Sequence, residues 1–226
     1  MKRGAAALMM AVALGVMNMA SPREAPGTWR SLFDGKTTAG WRGFLSKQMP
    51  DGWKVVDGAL TRVDKAGDIV TLDEFADFEL TLDWKIAKGA NSGIFYRVVE
   101  NQEDESMWMV APEYQLIDDK GYPQKLKDTQ YTGANYDLQP PARHVSKPAG
   151  EWNATRIIAD GKHVEHWLNG VKLVEYEIGS PAWEQLVAKS KFKDHPRYAR
   201  APRGRIGIQD HGDWAAFRNI KIRELR

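Results

Sequence analysis

Down its whole length the chain repeats one pattern: short runs of alternating apolar and polar side chains, closed by Gly, Asp, Asn or Pro. GRIGIQDHG at 204–212 is an example. Successive side chains of an extended strand point to opposite faces, so Ile206 and Ile208 share a buried face while Gln209 and His211 share the other. That second face is either solvent or a binding cleft. The same alternation predicts strands over Trp53–Val56, Ala59–Val63, Ile69–Thr71, Phe78–Ile86, Ser92–Val98, Glu113–Ile117, Asn153–Ala159, His163–Leu168, Val171–Glu177, Gly204–Gln209 and Ala216–Ile222. Asp57-Gly58, Asp160-Gly161 and Asn169-Gly170 supply the left-handed conformations of tight hairpins.

Many short strands at this spacing argue for an all-β sandwich or barrel. One helix is predicted, from Pro181 to about Lys189, with Ser180 as N-cap, Pro181 in the first helical position and Glu184 near the positive end of the helix dipole. Two stretches carry no strand signal: 118–151, with four prolines, and the basic segment 191–203. Long unstructured connections in a compact domain are often binding loops.

The 226 residues suit a single domain, placed at 27–226 behind a leader at 1–20. In that leader Lys2 and Arg3 precede an apolar run with small residues near Ala20, the layout of a secretory signal peptide, and the run is short for a membrane span. Export to the periplasm or beyond the cell is expected. Without Lys2 and Arg3 the formal charge falls from +2 to neutral, so no bias toward nucleic acid or anionic membrane is expected. The chain has no cysteine, which excludes disulfides, thiolate metal sites, thiol nucleophiles and a lipid anchor through cysteine. Nine Trp, seven Tyr and seven Phe exceed what a core of this size needs and include potential platforms for sugar rings.

Alternation also sorts the chemistry. In PEYQLIDD, Glu113 and Gln115 share one face and Tyr114 and Leu116 the other, putting a proton carrier beside an amide that both donates and accepts. Arg97 and Ser92 in NSGIFYR, His166 and Asn169 in VEHWLNG, and Gln209 and His211 add hydroxyl-recognising groups on separate strands. The chain has no Glu-x-Asp-x-x-Glu strand of a retaining sandwich glucanase, no His-Glu-x-x-His, no Gly-x-Ser-x-Gly and no phosphate loop. Two-carboxylate glycoside hydrolysis and serine hydrolysis lose support.

Taken in order, LFDGKTTAGW, GANSGIFYRV, PEYQLIDD, KPAGEWN, VEHWLNG, SKF, GRIGIQDHG and FRNIKIREL resemble the bacterial 3-keto-disaccharide hydrolase family across essentially the whole chain after the leader. The resemblance implies a concanavalin A-like jelly-roll sandwich and substrates whose glucose unit is oxidised at C3. A ketone at C3 acidifies the C2 hydrogen, so one base can form an enolate, the C1 substituent can leave, and water can add back. That route needs a base, donors for the enolate oxygen and an acid, with no second carboxylate at a fixed distance. Glu113 or His166 is the expected base and His211 the acid. Arg97, Gln115 and Gln209 are expected to hold the oxygen, with Asn169 and Ser92 binding substrate. No cofactor is required. A divalent ion is conceivable from Glu113, Asp118, His166 and His211, although no ligand spacing demands one. The expected partner is a small carbohydrate, and the sequence leaves the oligomeric state open. A non-catalytic carbohydrate-binding module and a purely structural domain of the same fold remain as alternatives.

Overall fold

The computed structural model describes residues 27–226, so the leader predicted over 1–20 lies outside the described residues. The strands are β1 (Arg30–Ser31), β2 (Trp41–Gly43), β3 (Trp53–Val56), β4 (Ala59–Arg62), β5 (Ile69–Thr71), β6 (Phe78–Ile86), β7 (Asn91–Val98), β8 (Glu113–Ile117), β9 (Asn153–Asp160), β10 (His163–Leu168), β11 (Val171–Glu177), β12 (Arg205–Ile208) and β13 (Ala215–Glu224). One sheet runs β11-β10-β9-β6-β13-β4-β3, with β1 added beside β13. The other runs β2-β5-β12-β7-β8, and paired strands in both are antiparallel. This is a two-layer jelly-roll sandwich.

The alternation explains the layers. Leu80, Leu82, Trp84, Ile157, Val164 and Leu168 of the larger sheet meet Ile94, Tyr96, Leu116, Ile206 and Ile208 of the smaller in one buried core. β10, written HVEHWL, alternates half-buried and buried residues along its whole length, with His166 among the buried ones. Helix α1 (Pro181–Lys189) has its Ser180 cap accepting the Trp183 N–H at 3.2 Å. The Asp57-Gly58 and Asn169-Gly170 turns have both residues at positive φ, whereas at Asp160-Gly161 only the glycine does. β1 and β2 fall outside the strands expected from the sequence.

β7 is buried at every position, so both its faces are covered. Its inner face joins the main core. On its outer face Phe95 and Val98 form a second small core with Val70, Met107, Val110 and Ala111, supplied by the 3₁₀ turn Met107–Met109 and the residues after it. Gly207 of β12 makes room for this lid, since a Cβ there would stand 3.1 Å from the Met107 Cε and closer still to its sulfur. The rest of the outer face of the smaller sheet stays open.

Candidate active site

That open part is a cleft of about 800 Å³. β8 supplies Glu113 and Gln115, β7 supplies Asn91, and Gln209 and His211 follow β12 directly. Parity holds here: Tyr114 and Leu116 enter the core while Glu113 and Gln115 face the cleft. The two connections without strand signal both wall it, 118–151 through Tyr136 and 191–203 through Lys191, with Trp108 from the Met107 turn.

Glu113 is 4% exposed and lies across Gly93, its diagonal neighbour on β7. Burial pushes its carboxyl up to about 8, an effect that Lys191 opposes and Asp68 reinforces. Asp68, which also lines the cleft, is raised to about 6 by burial, against the Asp210 N–H that donates to it at 2.9 Å. Asp210 acts as a clamp: it pairs with Arg62 at 2.7 Å and accepts the N–H groups of Ala66, Gly67 and Gly212. The loop carrying Asp68 is thereby locked to the segment carrying Gln209 and His211. Two amide oxygens, Asn91 Oδ1 and Gln209 Oε1, are buried without a hydrogen-bond partner. An unpaired buried acceptor is costly, so both are ready to receive a hydroxyl donor. Gln115 Oε1 instead accepts the Leu116 N–H at 3.0 Å.

Of the residues selected from sequence, the fold brings Glu113, Gln115, Gln209 and His211 together and directs four others elsewhere. His166 is fully buried between the sheets. Its Nε2 meets the Tyr96 hydroxyl at 2.9 Å and its Nδ1 the Gly133 carbonyl at 3.1 Å, while burial drops its pKa to about 4. It is a core histidine because its strand parity matches Val164 and Leu168. Arg97 shares sequence parity with Phe95, but a bulge intervenes: Arg205 pairs with Val98 and Gly207 with Phe95, leaving Tyr96 and Arg97 opposite Ile206 alone. With φ at 56°, Arg97 turns away and bonds the Ala76 carbonyl at 2.8 Å beside Asp77. Ser92 donates to the Gln209 carbonyl at 2.9 Å from the core side, which fixes the backbone of Gln209. Asn169 ties its own hairpin to Ala154, Val145 and Asn153. Asp118, named for a conceivable ion, caps Gly89 at 2.8 Å and does not line the cleft.

Sequence reasoning misses Asn91, Asp68, Trp108, Tyr136 and Lys191. Parity with Gly93 and Phe95 would find Asn91; the others stand on loops, where no periodicity applies. Among the described residues, the one cluster of His and acidic groups close enough to share an ion is His163, Glu165 and Glu175. It lies on the outer face of the larger sheet, where Lys172 bridges both glutamates.

Comparison with known proteins bears on this arrangement. Residues 28–223 match the family model described as 3-keto-alpha-glucoside-1,2-lyase-like domain. The chain belongs to that family. It is 34% identical, over 90% of its length and 80% of the relative's, to a 3-keto-disaccharide hydrolase of Bacteroides thetaiotaomicron, and it is accordingly an enzyme of hydrolase type. A crystal structure from Parabacteroides distasonis, named as a glycosyl hydrolase, superposes with a TM-score of 0.83 at 37% identity, covering 88% of this chain and 94% of that one. A second from the same organism, named likewise, gives 0.67 at 30% identity, covering 88% and 100%. A galectin-like-fold protein of Bacillus subtilis, 14% identical with a TM-score of 0.50, shares the fold alone.

Proposed function

We propose that this protein is an exported enzyme that cleaves the glycosidic bond of 3-keto-glucosides by removing the C2 proton and expelling the C1 substituent, after which water can add. The relative named for hydrolysis and the family described as a 1,2-lyase are both accommodated, since elimination followed by hydration is net hydrolysis. The observation that carries the reading is Glu113: a buried carboxyl lining the cleft, raised to about 8 and without a hydrogen bond to its side chain among the described residues. A base so placed is desolvated and its proton affinity matches its task. In the step itself the C2–H bond breaks, its proton passes to Glu113, and the electron pair moves through C2–C3 to O3. As the pair returns, the C1–O bond breaks and a C1–C2 double bond forms.

Asn91 and Gln209 would receive sugar hydroxyls at their unpartnered oxygens, and Trp108 adds an aromatic side chain to the cleft wall. His211 and Asp68, on the opposite rim, are the candidates to protonate the departing oxygen. The leader-like first twenty residues support export.

The test is incubation with a 3-keto-glucoside in heavy water. Deuterium at C2 of the released 3-keto sugar, lost together with turnover in Glu113→Gln, is the expected result. Release of a saturated 3-keto sugar that keeps its original hydrogen at C2, or a variant as fast as the wild type, overturns the reading; an unsaturated product with a C1–C2 double bond supports it, as elimination without hydration.

A further inference from the structure

The SKF block at 190–192 has no part in the function above, yet the fold is built around it. Ser190 ends α1, its hydroxyl donating to the Val187 carbonyl at 2.9 Å and accepting the Phe192 N–H at 3.1 Å. Phe192 is buried in a stack, 3.9 Å from Tyr198, which in turn stacks on Trp183 at 6.0 Å. The Lys191 N–H is held by Asp137 at 3.1 Å. With both neighbours and its own backbone fixed, Lys191 projects from the short 3₁₀ turn Lys191–Asp194 to the cleft.

Its ammonium lies in a cage drawn from three segments: 4.3 Å from the Trp108 ring centroid, 4.6 Å from Tyr136 and 5.3 Å from Phe192. Such faces hold a cation in place without neutralising it. Among the described residues no carboxylate forms an ion pair with it, and the negative charges whose field it feels are Glu113, which lines the same cleft, and Asp137, which holds its backbone. Lys191 is an exposed residue, but its ammonium stands against these ring faces and lines the cavity that contains the base. Arg97, the cation expected from sequence to hold the substrate oxygen, points away.

We infer that Lys191 is a catalytic residue whose caged ammonium binds the C3 carbonyl oxygen and holds the negative charge that collects on it as Glu113 takes the C2 proton. The inference rests on the elimination reading. No proton leaves Lys191 and no bond forms to it: the charge on O3 rises when C2–H breaks and falls when C1–O breaks, and the ammonium faces it throughout. A preorganised cation aimed at developing charge acts in the transition state more than in the bound substrate.

The experiment compares wild type, Lys191→Met and Lys191→Arg on a 3-keto-glucoside in heavy water, following C2 deuteration and product release. Lys191→Met should lose about 10²- to 10³-fold in kcat for both, with KM changed only a few-fold. Lys191→Arg should recover part of that, and thermal unfolding and circular dichroism should match wild type for at least the Arg variant. Borohydride added during turnover should leave the mass of the Lys191 peptide unchanged. Met-variant turnover within about threefold of wild type overturns the assignment, as does a reduced sugar adduct on Lys191, which would make the lysine a covalent group. A wild type that eliminates, seen as C2 deuterium or as an unsaturated product, while Lys191→Met stays fast defeats this inference alone; a wild type whose only product is a saturated 3-keto sugar with its original C2 hydrogen defeats the elimination reading beneath it.

Discussion

Glu113 reaches across β7 through the gap that Gly93 leaves, since a Cβ at residue 93 would stand 3.0 Å from the Glu113 Cδ and closer still to Oε1. Gly93 has no left-handed φ, so alanine fits its backbone, and the three atoms nearest to an added Cβ all belong to the Glu113 side chain. Gly93→Ala should therefore fold, with a thermal midpoint within a few degrees of wild type. Its kcat/KM should fall by about 10²-fold, the scale of an ångström-sized misplacement of a reacting group. Steady-state kinetics beside a melting curve checks both halves.

The same carboxyl gives a pH signature in stability. Its pKa rises from 4.5 in an unconstrained chain to about 8 in the fold. Between those values the native state keeps a proton that the unfolded chain has released, so stability falls as pH climbs through that window and levels off above it. Glu113→Gln removes this loss. The variant should be more stable than wild type at pH 9, with the gap shrinking toward pH 5. Denaturant titrations at several pH values measure it, and a gap that widens toward acid contradicts the buried-carboxyl picture.

His166 should behave in the opposite way. Its pKa drops from 6.5 to about 4 on folding, so the unfolded chain takes up a proton first and stability is lost as pH falls from about 6.5 to about 4. His166→Ala should cost about 3 kcal/mol at neutral pH through the lost bonds to Tyr96 and Gly133 and the cavity left behind. At a temperature where the variant stays folded, its turnover should remain within about threefold of wild type, because the ring lies in the core and not at the substrate. A loss of about 10³-fold in the folded variant would restore His166 as a candidate base.

These residues also show what strand alternation conveys. Periodicity alone sorts Glu113 with Gln115, and Gln209 against Ile206 and Ile208, to their faces, because an uninterrupted strand fixes direction at every second residue. Arg97 is missorted because one extra residue in a ladder reverses the facing of the residues beyond it, and nothing in NSGIFYR marks the bulge except the conformation itself. His166 misleads for a different reason: VEHWLNG alternates cleanly, but alternation does not say which face belongs to the core, and a histidine satisfied by a tyrosine and a carbonyl can sit there. Lys191, Asp68 and Trp108 come from loops, whose paths depend on tertiary clamps such as Asp210 and the Phe192–Tyr198–Trp183 stack. Those contacts join residues far apart in the chain.

The leaving group supplies the last test. If His211 or Asp68 protonates the oxygen departing from C1, its importance must depend on how badly that oxygen needs a proton. A sugar alcohol leaves poorly as an anion, whereas a nitrophenolate leaves well without help. For whichever residue holds the role, His211→Gln or Asp68→Asn should lower kcat on a 3-keto-disaccharide by about 10²-fold while leaving nitrophenyl 3-keto-glucoside turnover nearly unchanged, the usual pattern for general acid catalysis. The Asp68 variant must be read with its amide in mind, because Asp68 Oδ1 also accepts the Asp210 N–H that holds the clamp. Asparagine keeps that acceptor, so a loss on both substrates would point to the acid's surroundings being disturbed. A loss on neither, from either variant, would leave solvent as the proton source for the departing sugar.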